Sequence, residues 1–157
     1  LAIAERAQGF KMNIGYHNRK PVADVEHGYF DSVVALAQWA DCLIVACPGG
    51  VATEHLVNAA VLQALGEHGL LINIARGSVV DEAALVVALE AGHIAGAALD
   101  VFEREPHIPS LLLQSEKVVL TPHIGSATRE TRLDMDDLLL QNVAAFVQDG
   151  RLLTEVC

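Results

Sequence analysis

The feature that most limits how this chain can fold is a regular alternation of short apolar runs with longer, helix-like segments. This alternation is typical of parallel β-α-β units, in which helices cover both faces of a buried sheet. We therefore expect an α/β fold built on a doubly wound parallel sheet. The strand-like runs are KMNIGY (11–16), CLIVAC (42–47), LLINIA (70–75), IAGAALDV (94–101) and KVVLT (117–121).

Capping residues indicate where the helices begin and end. Asp31 or Ser32 can cap one helix and Asp81 another, because a short oxygen-bearing side chain accepts hydrogen bonds from the first-turn amides. Gly9 and Gly92 stand where helices are expected to end. The helix-like segments are LAIAERAQ (1–8), FDSVVALAQWA (30–40), NAAVLQAL (58–65), DEAALVVALEAG (81–92) and RETRLDMDDLLLQNVAAFVQDG (129–150).

Charge and composition exclude several classes of partner. The 157 residues are 52% hydrophobic and carry a net charge of −10 with histidine neutral. Nucleic acid and anionic membrane surfaces would be repelled, and no apolar stretch approaches the ~20 residues of a membrane-spanning helix. Cys42, Cys47 and Cys157 lack CxxC spacing and indicate free thiols in a reducing cytoplasm. The histidines lack metal-ligand spacing such as HExxH, so we expect no metal site and a small-molecule partner.

Four chemically active side chains follow successive predicted strands. The loops at the carboxyl ends of parallel strands line a common crevice, and Arg76, Asp100, Glu105 and His123 all stand at or just after such strand ends. We therefore expect the four side chains to converge. An arginine at this place can grip an anion through two parallel hydrogen bonds from its planar guanidinium.

Each of these residues also has an ordinary structural interpretation. Arg76 alone could be a solvated loop charge, and His123 could be a loop histidine with its hydrogen bonds satisfied. Glu105 could belong to an acidic turn, and Asp100 could be a plain turn residue at a strand end. The joint occurrence of these residues on successive strand ends favours the functional interpretation.

The segments that carry these residues resemble the D-isomer-specific 2-hydroxyacid dehydrogenase family, and within it the glyoxylate/hydroxypyruvate reductase branch. LLINIARGSVVDEAAL (70–85), GAALDVFEREP (96–106) and LTPHIGSATRETRLDM (120–135) are similar to the arginine, glutamate and histidine signatures of that family, in the expected order. The resemblance implies a Rossmann-type sheet. It also implies that Arg76 binds the substrate carboxylate and keto oxygen, that His123 is the general acid and base, and that Glu105 pairs with His123.

These residue types suit the implied chemistry. Moving a hydride onto a 2-oxo carbon leaves negative charge on oxygen, which needs a proton donor and a fixed positive charge nearby. Histidine is the donor whose ordinary pKa lies nearest neutrality. A carboxylate partner favours the imidazolium form, so Glu105 is expected to keep His123 ready to donate a proton.

The end of the first strand-like run predicts the cofactor. NAD-binding Rossmann domains usually carry Asp or Glu there to accept a hydrogen bond from the ribose 2′-hydroxyl, whereas NADP sites offer Arg. This chain has His17, Asn18, Arg19 and Lys20 at that place, and the first acid after them is Asp24. Two adjacent cations and an amide indicate a 2′-phosphate and so a preference for NADPH, with NAD as a second cofactor. The alternative is a solvated basic turn.

The family resemblance implies further cofactor contacts. Asp100 is similar to the residue that contacts the nicotinamide carboxamide. Ala75 and Gly125 stand where backbone groups line the cofactor. Pro48 and Thr53 match the loop along the adenosine and pyrophosphate side, although CPGGVATEHL departs from the usual wording of that loop.

The glycine-rich GxGxxG loop of this family does not occur in these 157 residues, and by resemblance it would end just before Leu1. We therefore expect the C-terminal part of a longer polypeptide. It would comprise an incomplete dinucleotide-binding domain (1–126) and a C-terminal helix and tail (127–157) that packs on an upstream substrate domain. The strand before the loop would also be missing, which leaves a slot between the KMNIGY and CLIVAC strands.

Together these features predict an NADPH-preferring reductase of small 2-oxo acids, glyoxylate- or hydroxypyruvate-like, that yields the D-2-hydroxy acid. The resemblance also implies a homodimer. The alternative is a corepressor-like protein of the same fold that senses a dinucleotide and in which catalysis is secondary. A different Rossmann enzyme, such as a methyltransferase, would not explain Arg76, Glu105 and His123 jointly.

Overall fold

The computed structural model describes residues 1–155, so Cys157 lies outside the described residues. The chain divides into two compact units, Leu1–Pro122 and a second unit that begins at His123. The helices are α1 (Ala2–Gly9), α2 (Val33–Trp39), α3 (Ala59–Leu65), α4 (Glu82–Glu90), α5 (Ser110–Gln114) and α6 (Arg129–Asp149). The strands are β1 (Gly15–His17), β2 (Gly28–Phe30), β3 (Cys42–Val45), β4 (Leu70–Asn73), β5 (Gly96–Leu99) and β6 (Val118–Leu120).

Parallel pairing confirms the predicted α/β class. Four strands form a sheet in the order β3-β4-β5-β6, and β1 pairs with β2 in a second sheet. In the larger sheet the final strand residues are in register, because Val45 pairs with Asn73, Asn73 with Leu99, and Leu99 with Leu120. The four following loops therefore leave the sheet at one level, along one edge.

The first unit departs from the sequence prediction near its N-terminus. β1 covers only Gly15–His17, within and just beyond the predicted run 11–16, and β2 was not predicted. β1 and β3 belong to different sheets, so the sheet is interrupted at the place where the sequence predicted a slot for one strand. Two 3₁₀ turns, Val51–Thr53 and Gly77–Val79, and the short helix α5 were also missed.

Side-chain caps fix the starts of the principal helices. Ser32, one of the two predicted alternatives, accepts a hydrogen bond from the Ala35 amide, and Asp81 accepts one from the Ala84 amide. Asn58 accepts from two first-turn amides of α3, and Thr128 caps α6 in the same way. A cap of this kind satisfies amides that the helix itself leaves without a partner.

The core of the first unit lies between the larger sheet and the helices that cover it. Leu62 of α3, Leu71 of β4 and Leu85 of α4 are fully buried there. In the second unit, by contrast, the predicted apolar stripe of α6 is 43–62% exposed, at Leu133, Leu138, Leu139, Val143 and Phe146. Among the described residues, no helix has the length and apolar character that crossing a membrane requires.

Candidate active site

The loop after β4 places Arg76 at the carboxyl edge of the sheet, and a buried asparagine shapes that loop. Asn73, the last residue of β4, is 1% exposed. Its side-chain oxygen accepts a hydrogen bond from the Ala75 amide at 3.0 Å, and its side-chain nitrogen donates to the Arg76 carbonyl at 3.1 Å. The Asn73 carbonyl accepts from the Asp100 amide on the next loop at 3.0 Å. Asn73 therefore joins the two loops that carry the candidate residues.

The Arg76 side chain is supported by backbone, and its charge is not neutralised within the described residues. Its Nη1 donates to the Ala75 carbonyl at 2.6 Å. Its aliphatic stem lies against Gly49, where an added Cβ would approach the Arg76 Cγ to 2.7 Å. Between residues 1 and 155, no carboxylate forms an ion pair with this guanidinium. An exposed guanidinium held in this way can bind a small carboxylate.

The loops after β4 and β5 touch through their backbones. A Cβ on Gly77 would overlap the carbonyl group of Phe102 and the amide nitrogen of Glu103. Gly77 directly follows Arg76, and Phe102 is three residues before Glu105. Because glycine has no side chain, the loop that carries Arg76 can approach the loop that carries Glu105 closely. The structure thus places the loop of Arg76 beside the loop that carries Asp100 and Glu105. The convergence of the four side chains stays a prediction.

Asp100 and Glu105 are both held by hydrogen bonds at this edge. Asp100 is 8% exposed, and its Oδ1 accepts from the Thr121 hydroxyl at 2.6 Å. Glu105 Oε1 accepts from the Phe102 amide at 3.0 Å, which folds the loop 102–105 back on itself. Thr121 follows β6 directly, so the bond to Asp100 joins the ends of β5 and β6. Thr121 was not among the predicted site residues.

Two further hydrogen bonds hold the Glu105 loop through Glu103, and the sequence did not predict them. Glu82, the first residue of α4, is 7% exposed, and its Oε1 accepts from the Glu103 amide at 2.7 Å. Burial raises the pKa of Glu82, while this hydrogen bond partly opposes the rise. His55 Nε2 donates to the Glu103 carboxylate at 3.0 Å, and this hydrogen bond raises the pKa of His55.

The predicted 2′-phosphate residues follow β1. His17 Nδ1 donates to the Phe30 carbonyl at 2.9 Å, which ties the end of β1 to β2. Asn18, Arg19 and Lys20 are exposed, and the Asn18 side chain accepts from the Arg19 amide at 2.9 Å. Neither Arg19 nor Lys20 is ion-paired within the described part of the chain. Two exposed cations beside an amide form a donor set that fits a phosphate dianion.

The loop after β3 holds two more of the predicted cofactor residues. The Thr53 hydroxyl donates to the Pro48 carbonyl at 2.8 Å, and the Gly50 carbonyl lies 3.2 Å from the same hydroxyl. Pro48 and Thr53 therefore close one compact turn. Ala75, 6% exposed, lies in the core and offers its carbonyl to Arg76.

His123 and Gly125 belong to the unit that begins at His123. The backbone of His123 is left-handed, with φ of 54°. Arg76 and Glu105 belong to the first unit, so the expected contact of His123 with them would join the two units, and it stays a prediction.

Two further observations concern the cysteines and possible metal ligands among the described residues. Burial raises the pKa of the Cys42 and Cys47 thiols, which favours the protonated form over a nucleophilic thiolate. In residues 1–155, no group of three or more His, Cys, Asp or Glu side chains is arranged to hold a metal ion.

The sequence matches known proteins across almost all of its length. Residues 1–125 match the family profile "D-isomer specific 2-hydroxyacid dehydrogenase, NAD binding domain". The chain is 50% identical over 155 residues to the glyoxylate/hydroxypyruvate reductase A of Arabidopsis thaliana, covering 99% of this chain and 50% of that protein. It is 49% identical over 156 residues to the hydroxyphenylpyruvate reductase of Plectranthus scutellarioides, with the same coverage of each chain.

A solved structure gives the same correspondence in three dimensions. The NADPH-dependent glyoxylate/hydroxypyruvate reductase of Sinorhizobium meliloti, crystallised with NADP and malonate, superimposes with a TM-score of 0.94 at 49% identity. The match covers 99% of this chain and 49% of that chain. The present chain thus spans about half the length of the curated relatives that it matches.

Proposed function

The chain belongs to the D-isomer-specific 2-hydroxyacid dehydrogenase family, and from this premise we propose that its complete gene product reduces small 2-oxo acids with NADPH. The observation that carries the proposal is the contact between the Arg76 loop and the Glu105 loop at Gly77. Arg76, the proposed cation for the substrate carboxylate, and Glu105, the proposed partner of the proton donor His123, stand on these two adjacent loops. The proposed substrates are glyoxylate and hydroxypyruvate, because the reductases of Arabidopsis and Sinorhizobium named above bear those names.

The proposed roles follow from charge. Arg76 binds the carboxylate of the 2-oxo acid, and its positive charge stabilises the negative charge that develops on the keto oxygen. His123 donates the proton that this oxygen takes up, and the carboxylate of Glu105 keeps the imidazole protonated until then. NADPH, when bound, supplies the hydride that adds to the keto carbon. The alcohol formed has the D configuration that the family description states.

The proposed cofactor contacts use residues in the segments that follow β1, β3, β4, β5 and β6. Asn18, Arg19 and Lys20 hold the 2′-phosphate, with His17 fixing the end of β1 beneath them. The turn closed by Pro48 and Thr53 lies along the adenosine and pyrophosphate side. Asp100 accepts a hydrogen bond from the nicotinamide carboxamide, and the backbone at Ala75 and Gly125 lines the cofactor. The homodimer and the cytoplasmic location predicted from the sequence are part of the same proposal.

One assay tests the function directly. The absorbance of NADPH or NADH is followed while glyoxylate, hydroxypyruvate or pyruvate is added to the complete gene product. We expect turnover with glyoxylate or hydroxypyruvate, faster with NADPH, and a large loss of kcat in His123→Asn because the proton donor is removed. No turnover with any pair would contradict the proposal, whereas retained activity in His123→Asn would reassign the proton donor. An unaffected dinucleotide affinity without turnover would instead favour the sensor alternative.

A further inference from the structure

The loop that carries Glu105 is held by a carboxylate that lies outside the reacting groups. Glu82 Oε1 accepts the Glu103 amide at 2.7 Å. The Glu105 carboxylate accepts the Phe102 amide at 3.0 Å, within the same turn. The adjacent amides of Phe102 and Glu103 thus bind two different carboxylates. One belongs to Glu105, which is part of the proposed site, and the other belongs to Glu82 of α4.

Glu82 is well anchored for this task. It is the first residue of α4, directly after Asp81, whose side chain caps the helix by accepting the Ala84 amide at 2.9 Å. It is also 7% exposed, although burying a carboxylate is unfavourable unless the group finds a partner. The charges of Glu103 and Glu105 raise the pKa of Glu82 and the charge of Arg104 lowers it, so the Glu82 carboxylate lies among the charged side chains of this loop.

We infer that Glu82 is a positioning residue for the reductase reaction, which fixes the orientation of Glu105 by anchoring the Glu103 amide. The inference rests on the proposed function, since it concerns how the proposed acid–base pair is aligned. Gly77, which follows β4, packs against the peptide group between Phe102 and Glu103, and Glu82, in α4, accepts the amide of that same group. A loop fixed at this point keeps Glu105 in one orientation as substrate binds.

The test compares three variants of the complete gene product. Glu82→Ala removes the acceptor. Glu82→Gln keeps an oxygen that can accept the Glu103 amide. Glu90→Gln, at the exposed end of the same helix, is the matched control for loss of one negative charge. Hydrogen exchange of the 102–106 segment gives a readout independent of catalysis, and steady-state kinetics across pH give the catalytic one.

We expect faster exchange of the 102–106 segment in Glu82→Ala, and a kcat lower by about 10- to 100-fold with little change in KM, since misorientation affects the chemical step. The pH profile of kcat should also differ from that of the wild type, because a misplaced Glu105 no longer pairs with the proposed proton donor His123. Glu82→Gln and Glu90→Gln should retain wild-type exchange, kcat and pH profile. Should Glu82→Ala not fold, Glu82→Asp shortens the reach by one methylene and is expected to show the same changes in weaker form.

Two results would overturn the inference. One is wild-type exchange in a folded Glu82→Ala or Glu82→Asp. The other is faster exchange with an unchanged kcat and pH profile. Absence of wild-type turnover would instead refute the proposed function, and with it the catalytic effect expected of the Glu82 hydrogen bond. The exchange data would still show whether Glu82 orders the loop.

Discussion

The Cα of Gly77 lies directly against the peptide group that joins Phe102 to Glu103, so that any side chain at residue 77 would overlap this group. The contact couples two loops that are 25 residues apart in the chain, since residue 77 follows β4 and residue 102 follows β5. Arg76 and Glu105 therefore depend on one another's loops for their position. Most of the testable consequences of this structure concern that coupling and the bonds around it.

Gly77→Ala should be strongly damaging. The new methyl group would overlap backbone atoms, which cannot rotate away as a side-chain tip can, so one loop must move. Overpacking of this kind costs about 1–3 kcal/mol of unfolding free energy. We also expect kcat to fall, because Arg76 or Glu105 is displaced. Urea unfolding and steady-state kinetics measure both effects. Gly9→Ala is the control, since a Cβ there meets nothing within 4 Å. Equal stability of both variants would contradict the contact.

Replacing both Arg19 and Lys20 by alanine should reverse the cofactor preference. Each charged hydrogen bond to a phosphate is worth about 1.5–3 kcal/mol, so kcat/KM with NADPH should fall by at least about 10-fold. The value with NADH, which lacks the 2′-phosphate, should change little. Arg151→Ala, which removes an exposed cation from the second unit, should leave the ratio unchanged. An equal loss with both cofactors would show that these residues do not read the 2′-phosphate.

Thr121→Val should lower stability by about 1.5–3 kcal/mol, the range for a hydrogen bond to a charged group. The reason is that the buried Asp100 carboxylate loses a donor at 2.6 Å. Thr121→Ser keeps the hydroxyl and is expected to recover most of the loss. Thermal unfolding of the two variants beside the wild type measures the difference. Indistinguishable melting temperatures for the valine and serine variants would mean that the bond contributes nothing net.

The exposed pair of His55 and Glu103 should stabilise the fold only on the acid side of neutrality. The hydrogen bond to Glu103 raises the pKa of His55 above its ordinary value. The stabilisation is therefore fully present below about pH 6.5 and is lost as pH rises through the raised pKa. His55→Asn removes the imidazole and leaves the charge of Glu103 beside Glu82 unchanged. This variant should melt below the wild type near pH 6 and together with it near pH 9, and the gap should shrink with salt. A gap that widens with pH would contradict the assignment.

The sequence predicted the fold well where one local pattern was sufficient. The runs around Leu71 and Leu43 became β4 and β3 because continuous apolar runs are typical of parallel strands. One face of each strand is partly exposed in this structure, at Leu70 and Ile44. Asp81 and Ser32 became caps because their short side chains suit first-turn amides. β2 was missed because the three residues of Gly28–Phe30 are too few to show a period.

The candidate site was predictable only in part. The strand-end rule selected Arg76, Asp100 and Glu105 from their places in the sequence, because parallel strands deliver their loops to one edge. The same rule could not select Asn73 or Glu82. Asn73 looks like an interruption of an apolar run, and Glu82 looks like an ordinary first-turn acid. Glu82 binds the backbone amide of Glu103, 21 residues away, which no local pattern reveals. The Asn73 side chain binds the backbone of Ala75 and Arg76 in its own loop, and the residue type alone does not show this role.

Glu82→Gln should stabilise the protein at neutral pH. Burial raises the pKa of Glu82, and the neighbouring charges of Glu103 and Glu105 raise it further. A carboxyl whose pKa is raised on folding contributes stability below its unfolded pKa, and this contribution is lost as pH rises through the folded pKa. At neutral pH the ionised Glu82 therefore opposes folding, while glutamine keeps the acceptor for the Glu103 amide without the charge.

The glutamine variant should melt above the wild type near pH 7, and this advantage should vanish near pH 4, where the wild-type carboxyl is protonated. Glu90→Gln should show no such pH-dependent advantage, because Glu90 is exposed. A glutamine variant that melts below the wild type at neutral pH would mean that the negative charge itself holds the Glu103 amide.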